Sequence, residues 1–338
     1  FLEFLESART VSYLSLRSRH SPLLQMIWLG SRSIPEWCFG NLKSLTVDAC
    51  RFLSDAVLPF FLLPFLTNLQ QLEVSDCSYV KSIFDVKCIT QERERKPLPF
   101  ALKKLTLEWL PELENVWNED PHEILSMQLL QQVSVYNCNC LTSLFPASVA
   151  KDLVKLEDLR LQYCQELREI VAEDNADPRG AKIVVKDCEG LMETCTVSFS
   201  NLTYLQVERC NCLLYLFTSS TAKSLTRLKT MDISWCDSIE EVVSKEGDES
   251  NENEIIFKEL NCLKLRKLRK LRSFYRGSLL SLPSLEELSV IDCDWMETLC
   301  PATLKADKLL EVKLDESSDA IKLENDLNST MRQSFLAK

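Results

Sequence analysis

The stretch LQQVSVYNCNCLTSL at residues 130–144 states a pattern that the chain then repeats. Apolar residues stand at its first, fourth, sixth, twelfth and fifteenth positions, and a cysteine stands at the ninth. The segments LEDLRLQYCQELREI (156–170), LTYLQVERCNCLLYL (202–216) and LKTMDISWCDSIEEV (228–242) carry the same residue classes at the same offsets. Self-similarity of this kind is the signature of a protein built from stacked repeats.

The spacing of this pattern predicts a short strand that is not stable by itself. Its L-x-L core points two apolar side chains to one face of the strand and the residue between them to the other face. Stacked units bury the apolar faces against one another in a continuous column. The pattern is that of a leucine-rich repeat. We therefore expect an α/β fold, a leucine-rich repeat solenoid shaped as a curved horseshoe, with a parallel β-sheet on its concave face and irregular loops or short helices on its convex face.

About nine clear units and one partial unit fill residues 41–314. The clear units begin at Leu42, Leu69, Leu102, Leu130, Leu156, Leu202, Leu228, Leu260 and Leu285, and the partial unit begins at Leu309. Residues 1–40 form an N-terminal degenerate repeat region, and because the chain opens on Phe in mid-pattern we expect it to be a fragment of a longer protein. Residues 315–338 form a polar C-terminal tail, which we expect to cap the solenoid loosely or to be disordered.

The irregular stretch 171–201 leaves two interpretations open. The step from Leu156 to Leu202 is 46 residues, whereas the other steps range from 24 to 33 residues. Ile183 and Cys188 recur within it at the offsets of the pattern, which allows a hidden degenerate repeat. The alternative, which we favour, is a surface insertion with at most a short strand.

Seven of the fifteen cysteines occupy one position of the pattern, where the chain turns out of the strand. A small, weakly polar side chain there can be buried beside backbone groups that the turn leaves short of partners. The total is odd and no secretory signal precedes FLEFLES at residues 1–7, so we predict reduced thiols in a cytoplasmic protein. The C-x-C pairs Cys138/Cys140 and Cys210/Cys212 lack the spacing of zinc knuckles, and no metal site is expected.

Composition disfavours several classes of function. Glycine occurs only six times and never as part of a P-loop, while a net charge of -11 disfavours binding to nucleic acid. The longest apolar run, residues 56–66, contains two prolines and falls short of the ~20 residues of a membrane span. His20 and His122 stand outside the pattern and belong to no recognisable catalytic set. We therefore predict a non-enzymatic chain with no cofactor, no nucleic-acid partner and no membrane span.

The residues between and beside the buried leucines form a candidate protein-binding surface. Trp109, Tyr163 and Trp235 share one position of the pattern, and strands of neighbouring repeats lie about 4.8 Å apart. Exposed aromatics among arginines and carboxylates are typical of binding hot spots, although these rings could instead pack on flanking leucines and close gaps. The candidate contact residues on this face are Trp109, Tyr136, Arg160, Tyr163, Tyr204, Arg209 and Trp235.

The basic segment KLRKLRKLR at residues 264–272 adds three candidates, Lys264, Arg266 and Lys267. Its leucines fall at inward positions, so its cations are the outward residues of one unit. The next unit offers acidic residues, among them Glu287 and Asp292. A charge-complementary patch between stacked repeats, or a docking site for an acidic partner, is favoured over a nucleic-acid site.

The chain resembles the C-terminal leucine-rich repeat region of plant intracellular immune receptors, the class with a coiled-coil N-terminus and a central nucleotide-binding switch. The resemblance lies in LEDLRLQYCQELREIV (156–171), LKTMDISWCDSIEEVV (228–243) and LEELSVIDCDWMETL (285–299), and in an acidic loop followed by IIFKEL (255–260). It implies recognition of a pathogen effector, or of a host protein that the effector modifies, and intramolecular inhibition of the switch. The nucleotide-binding motifs of the family have no counterpart here.

The alternative is the substrate-recognition repeat domain of an F-box type ubiquitin ligase, since cysteine-containing leucine repeats also occur beside F-box segments. Those repeats are usually more uniform in length than the units of this chain. No F-box-like helical segment is evident in the sequence either. The sequence therefore favours the immune receptor.

Overall fold

The computed structural model describes residues 8–17, 22–30, 34–35, 37–86, 98–121, 125–172, 199–245, 254–296, 298–316, 321–322 and 327. Short strands dominate these ranges. The elements up to residue 171 are β1 Tyr13–Arg17, α1 Pro22–Trp28, β2 Ser44–Asp48, β3 Ala56–Leu58, a 3-10 helix Leu63–Phe65, β4 Gln71–Ser75, β5 Ser82–Phe84, β6 Leu98–Pro99, β7 Lys104–Glu108, β8 Asn115–Trp117, β9 Leu125–Ser126, β10 Gln132–Tyr136, β11 Ser143–Phe145, α2 Ala147–Asp152, β12 Asp158–Gln162 and β13 Glu169–Val171. The later elements are β14 Tyr204–Glu208, β15 Phe217–Thr218, α3 Ser219–Ser224, β16 Thr230–Ser234, β17 Glu241–Ser244, β18 Glu254–Ile256, β19 Cys262–Arg266, β20 Ser273–Tyr275, β21 Leu279–Ser281, β22 Glu287–Ile291, β23 Thr303–Lys305, β24 Glu311–Lys313 and β25 Ile321–Lys322.

One long sheet runs through all the repeats. Its strand order is β1-β2-β4-β7-β10-β12-β14-β16-β19-β22-β24-β25, and we call it the main sheet. Neighbouring strands up to β24 pair in parallel and in one register, so that Leu159 opposes Val133 on one side and Leu205 on the other. The last strand, β25, pairs antiparallel with β24 and covers that edge of the sheet. The predicted leucine-rich repeat solenoid with a parallel sheet is confirmed.

The long step between the fifth and sixth clear units adds no strand to the main sheet. Strand β12 pairs directly with β14, from Asp158 opposite Tyr204 to Gln162 opposite Glu208. Residues 173–198, which contain Ile183 and Cys188, lie outside the described residues. The choice between a hidden repeat and a surface insertion therefore stays a prediction, but a hidden repeat could not contribute a strand between β12 and β14.

The side of the solenoid away from the main sheet consists of short strands and short helices. The strands form five small parallel sheets, β3-β5-β8, β6-β9, β11-β13, β15-β17-β20 and β18-β21-β23. The matching segments at residues 144–156 and 216–228 each contain one helix, α2 and α3, at the same place. The side chain of Thr218 caps α3 by accepting a hydrogen bond from the Thr221 N–H, a role that Pro146 at the start of α2 cannot take.

The hydrophobic core lies between the main sheet and the outer strands as one continuous cluster. Leu159, Leu205 and Leu288 of the repeat pattern are at most 2% exposed. A row of aromatic rings joins successive repeats inside the core, with Phe84 stacked on Trp117 at a centroid distance of 5.4 Å. Each fully buried leucine contributes roughly 1.5–3 kcal/mol, which is why stacking stabilises units that are unstable alone.

Within the described residues, no helix is both long and apolar enough to cross a membrane.

Candidate protein-binding surface

In nine repeats, the residue just before the buried cysteine or leucine of the turn has a left-handed backbone, with φ between 52° and 58°. We call these nine positions the turn column: Ala49, Asp76, Trp109, Asn137, Tyr163, Arg209, Trp235, Lys267 and Asp292. A left-handed conformation costs roughly 1–2 kcal/mol in a residue with a side chain. The main sheet offsets part of this cost, because the N–H of Trp235, for example, donates to the carbonyl of Arg266 in the next repeat at 3.0 Å.

The turn column lies one residue beyond each main-sheet strand. The repeat pattern places Trp109, Tyr163, Arg209 and Trp235 among the residues that alternate with leucine, and no left-handed turn is predicted from that alternation. The signal that could have revealed it is positional, since every member directly precedes the cysteine or leucine of the turn.

The cysteine that follows the turn column is buried and bonded to backbone groups. The Cys236 thiol lies 3.3 Å from the carbonyl of Ser234 and accepts the N–H of Cys210 from the preceding repeat at 3.4 Å. Burial raises the pKa of Cys236, and likewise that of Cys293, to about 12. All twelve described cysteines are free thiols, and none of the seven in the repeat position is more than 1% exposed.

Six candidate residues contact one another in series across six consecutive strands of the main sheet, and we call them the aromatic–cation row. They are Trp109, Tyr136, Tyr163, Arg209, Trp235 and Lys267. Ring centroids are 5.4 Å apart in the first pair and 5.2 Å apart in the second. The guanidinium carbon of Arg209 lies 5.3 Å from the Tyr163 centroid and 4.6 Å from that of Trp235, and the Lys267 Nζ lies 4.3 Å from the latter.

The aromatic–cation row reaches solvent. Trp109 is 48% exposed and Trp235 is 36% exposed, whereas Tyr136 and Tyr163 are half-buried. Both indole rings are therefore accessible to a partner. Trp109, Tyr163 and Trp235 share one position of the repeat, as predicted, but the contacts between them pass through Tyr136 and Arg209.

Arg160 and Tyr204 form a second pair on the same face of the main sheet. The guanidinium carbon of Arg160 lies 4.9 Å from the Tyr204 centroid. Asp158 accepts two hydrogen bonds from Arg160, at 2.9 Å and 2.8 Å, and this raises the pKa of the guanidinium. Arg160 and Asp158 border a shallow depression of about 270 Å³ lined by residues of β7, β10 and β12. Arg160 is therefore both stacked and already bound to a carboxylate.

The cations of the basic segment pair with acidic residues of neighbouring repeats. Arg266 donates two hydrogen bonds to Asp232, at 2.8 Å and 2.9 Å. Lys264 lies 3.0 Å from Glu287, and their hydrogen bond lowers the pKa of the Glu287 carboxyl. Lys267 also lies 3.8 Å from Asp292. Of the two favoured readings of this segment, these pairs match the charge-complementary patch, and an acidic partner would have to compete with them.

Residues 12–165 and 181–316 match the family described as plant disease resistance protein RPS2-like, leucine-rich repeats. The chain belongs to this family. The resemblance seen in the sequence is thereby confirmed for most of its length. RPS2-like leucine-rich repeats of this kind form a protein-interaction fold.

Solved leucine-rich repeat structures resemble these RPS2-like repeats only weakly. The leucine-rich repeat domain of the type III effector XopL is 19% identical with a TM-score of 0.39, covering 72% of this chain and 75% of that one. The TLR13–ssRNA13 complex is 11% identical with a TM-score of 0.38, covering 91% and 47%. A leucine-rich repeat protein of Leptospira interrogans is 15% identical with a TM-score of 0.37, covering 90% and 80%. No curated protein matches the chain.

Two features of the site escaped sequence reasoning about the RPS2-like repeats. In the fourth clear unit the turn-column residue is Asn137, which has no ring. The ring that contacts Trp109 there belongs to Tyr136, one residue earlier. Glu208 lies on the predicted face but is not among the predicted contact residues, yet its carboxylate accepts a hydrogen bond from Gln162 at 2.9 Å and lies 3.9 Å from Arg209 Nε. Glu208 is therefore an acidic residue in contact with the middle of the aromatic–cation row.

Proposed function

We propose that these RPS2-like repeats recognise a pathogen effector, or a host protein that an effector modifies, in the plant cytoplasm. Membership of the family is the observation that carries the proposal, and it favours a receptor over an F-box ligase. The binding surface is the face of the main sheet that carries the aromatic–cation row. Two exposed tryptophans, Trp235 beside two cations and Trp109 beside Tyr136, are side chains that binding hot spots favour.

The surface is also preformed. The members of the aromatic–cation row hold one another in place, and five of the six stand on turns fixed by the main sheet. A partner that binds to ordered side chains loses little conformational entropy at the interface. Affinity would then come from several side chains on adjacent strands.

In its parent receptor, the same domain holds a nucleotide-binding switch inactive by intramolecular contact. A partner can activate such a receptor only if it binds the closed and open states with different strength. The inhibitory contact and the recognition contact are therefore linked, and the partner favours the open state.

The recognition half can be tested in the full-length receptor, expressed in leaf tissue with a panel of pathogen effectors. Wild type should give cell death with its effector, and a Trp109→Ala, Trp235→Ala double variant should lose that response. Trp295→Ala is the matched control, because Trp295 is 59% exposed and stacks with Arg272 but lies outside the aromatic–cation row. A full response from the double variant would refute binding through this surface.

The inhibitory half needs a separate experiment. The repeat domain, co-expressed with the nucleotide-binding domain of its receptor, should co-purify with it in the ADP-bound state and less in the ATP-bound state. Absence of association in both nucleotide states would refute intramolecular inhibition while leaving recognition intact.

A further inference from the structure

Arg209 occupies the centre of the aromatic–cation row, between an aromatic ring of the preceding repeat and one of the following repeat. Its guanidinium carbon lies 5.3 Å from the Tyr163 centroid and 4.6 Å from the Trp235 centroid. Its backbone is fixed as well, because the Arg209 N–H donates to the carbonyl of Ser234 at 3.0 Å. Two rings and a fixed turn restrict the rotamers of this side chain, so little entropy remains to be lost when it binds something else.

The hydrogen-bonding capacity of Arg209 is not used up inside the protein. Its Nε is buried and has no hydrogen-bond partner among the described residues. The carboxylate of Glu208 lies 3.9 Å from that Nε, too far for a hydrogen bond, and it accepts one from Gln162 instead. A buried guanidinium N–H without an acceptor is costly. The side chain as a whole is 39% exposed, so a carboxylate of a partner can approach the guanidinium.

The other arginines on this face differ from Arg209. Arg160 is bound to Asp158 and Arg266 to Asp232, each through two hydrogen bonds of 2.8–2.9 Å. In Arg160 the two bonds come from Nε and a terminal nitrogen, so both arms of the planar guanidinium are used. In Arg266 both bonds come from one terminal nitrogen, and its Nε, like that of Arg209, has no hydrogen-bond partner among the described residues, but its carboxylate is already in place. The Arg209 guanidinium has the same donor groups, but the carboxylate beside it, that of Glu208, is 3.9 Å from its Nε.

The surroundings limit what kind of acid could bind. The chain carries a net charge of -11, Glu208 directly precedes Arg209 at the end of β14, and Asp232 lies on the adjoining strand β16, so a run of acidic residues would be repelled. A single carboxylate could pair with the Arg209 guanidinium and would meet less repulsion from these acidic residues than a run of acids would. The exposed indole of Trp235 beside it offers a surface for an apolar side chain.

Building on the proposed function, we propose that Arg209 binds one carboxylate of the protein partner, within a segment whose neighbouring residues are apolar and pack on Trp235 and Trp109. The recognised element is therefore an isolated aspartate or glutamate among apolar residues, and not an acidic tract.

Selection of a displayed library of random short peptides on the full chain tests this assignment. Enriched peptides should share one carboxylate flanked by apolar residues. Replacing that carboxylate by its amide should weaken binding to wild type by at least about tenfold, the size expected for a charge-assisted hydrogen bond. The same replacement should change binding to Arg209→Gln by less than about twofold, because the partner of the carboxylate is already gone.

Arg272→Gln is the matched control, an arginine that also stacks on an exposed tryptophan, Trp295, but lies outside the aromatic–cation row, and it should leave peptide affinity within about twofold of wild type. The amide replacement alters only the peptide, so it stays informative even if Arg209→Gln weakens folding. Peptides that need Trp109 and Trp235 but no carboxylate would overturn the role of Arg209 and leave the proposed surface standing. A selection that yields no peptide dependent on these tryptophans would overturn both.

Discussion

Trp235 and Cys236 are neighbours in the chain, yet their side chains meet opposite environments. The indole of Trp235 is 36% exposed and lies between Arg209 and Lys267. The thiol of Cys236 is fully buried and lies 3.3 Å from the carbonyl of Ser234. The same contrast recurs along the solenoid, with an outer position in the turn column and an inner position directly after it.

Few residue types occupy the inner position, whereas many occupy the outer position. In the nine repeats with a described turn column, the inner residue is always Cys or Leu. The outer residue is Ala, Asp, Trp, Asn, Tyr, Arg or Lys, with the same left-handed φ each time. Fold and surface chemistry are therefore specified by different positions, so the surface can change from repeat to repeat without disturbing the core.

The largest difference in unfolding free energy is expected between an inward and an outward residue of strand β14. Leu205→Ala removes a fully buried side chain and should lower the free energy of unfolding by about 3 kcal/mol. Gln206→Ala, one residue later on the open face, should change it by less than about 0.5 kcal/mol. Urea unfolding followed by circular dichroism measures both. Equal losses would mean that the two faces of the strand are not distinct.

Alkaline pH should lower the free energy of unfolding through the buried thiols of the inner position. Burial raises the pKa of Cys236 and Cys293 from 9.0 to about 12, so these thiols stay protonated in the folded chain while the unfolded chain ionises from pH 9 upward. The free energy of unfolding should be unaffected below that pH. Between pH 9 and 12 it should fall by about 1 kcal/mol per thiol for each pH unit.

Other groups also titrate in that range, so the comparison needs a matched variant. Leucine fills the inner position at Leu110 and Leu268, which makes a Cys236→Leu, Cys293→Leu double variant the natural control. Its unfolding free energy should depend less steeply on pH than that of wild type. Identical slopes would show that ionisation of the buried thiols does not contribute.

The inner positions could be predicted from the sequence, and the outer contacts could not. The offsets of Leu205 and Cys210 place them in the core because stacking leaves their apolar faces no other partner. The position of Arg209 between two rings depends on side-chain directions in three different repeats. No spacing within one repeat encodes those directions. The sequence named every member of the aromatic–cation row but not the order of its contacts.

The outer position should contribute modestly to stability. Trp235→Ala removes ring contacts to Arg209 and Lys267 and should lower the free energy of unfolding by about 1 kcal/mol, the usual size of partly exposed cation–π contacts. Trp295→Ala, which removes a ring contact to one cation, Arg272, should cost less. The same urea titration gives both values. A loss of about 3 kcal/mol at Trp235, comparable to Leu205→Ala, would assign its ring to the core instead.

The smallest expected effect concerns the backbone of the turn column itself. Ala49 has φ 52° and an exposed side chain, so Ala49→Gly removes the steric cost of the left-handed conformation and sacrifices little burial. The variant should be more stable by about 0.5 kcal/mol, after the extra entropy of glycine in the unfolded chain is subtracted. Thr46→Gly, inside strand β2, should be less stable by a similar or larger amount, because a strand gains nothing from a left-handed residue. If thermal melts show both glycines to be destabilising, the left-handed turn is not a source of strain, and the variety of the outer position needs another explanation.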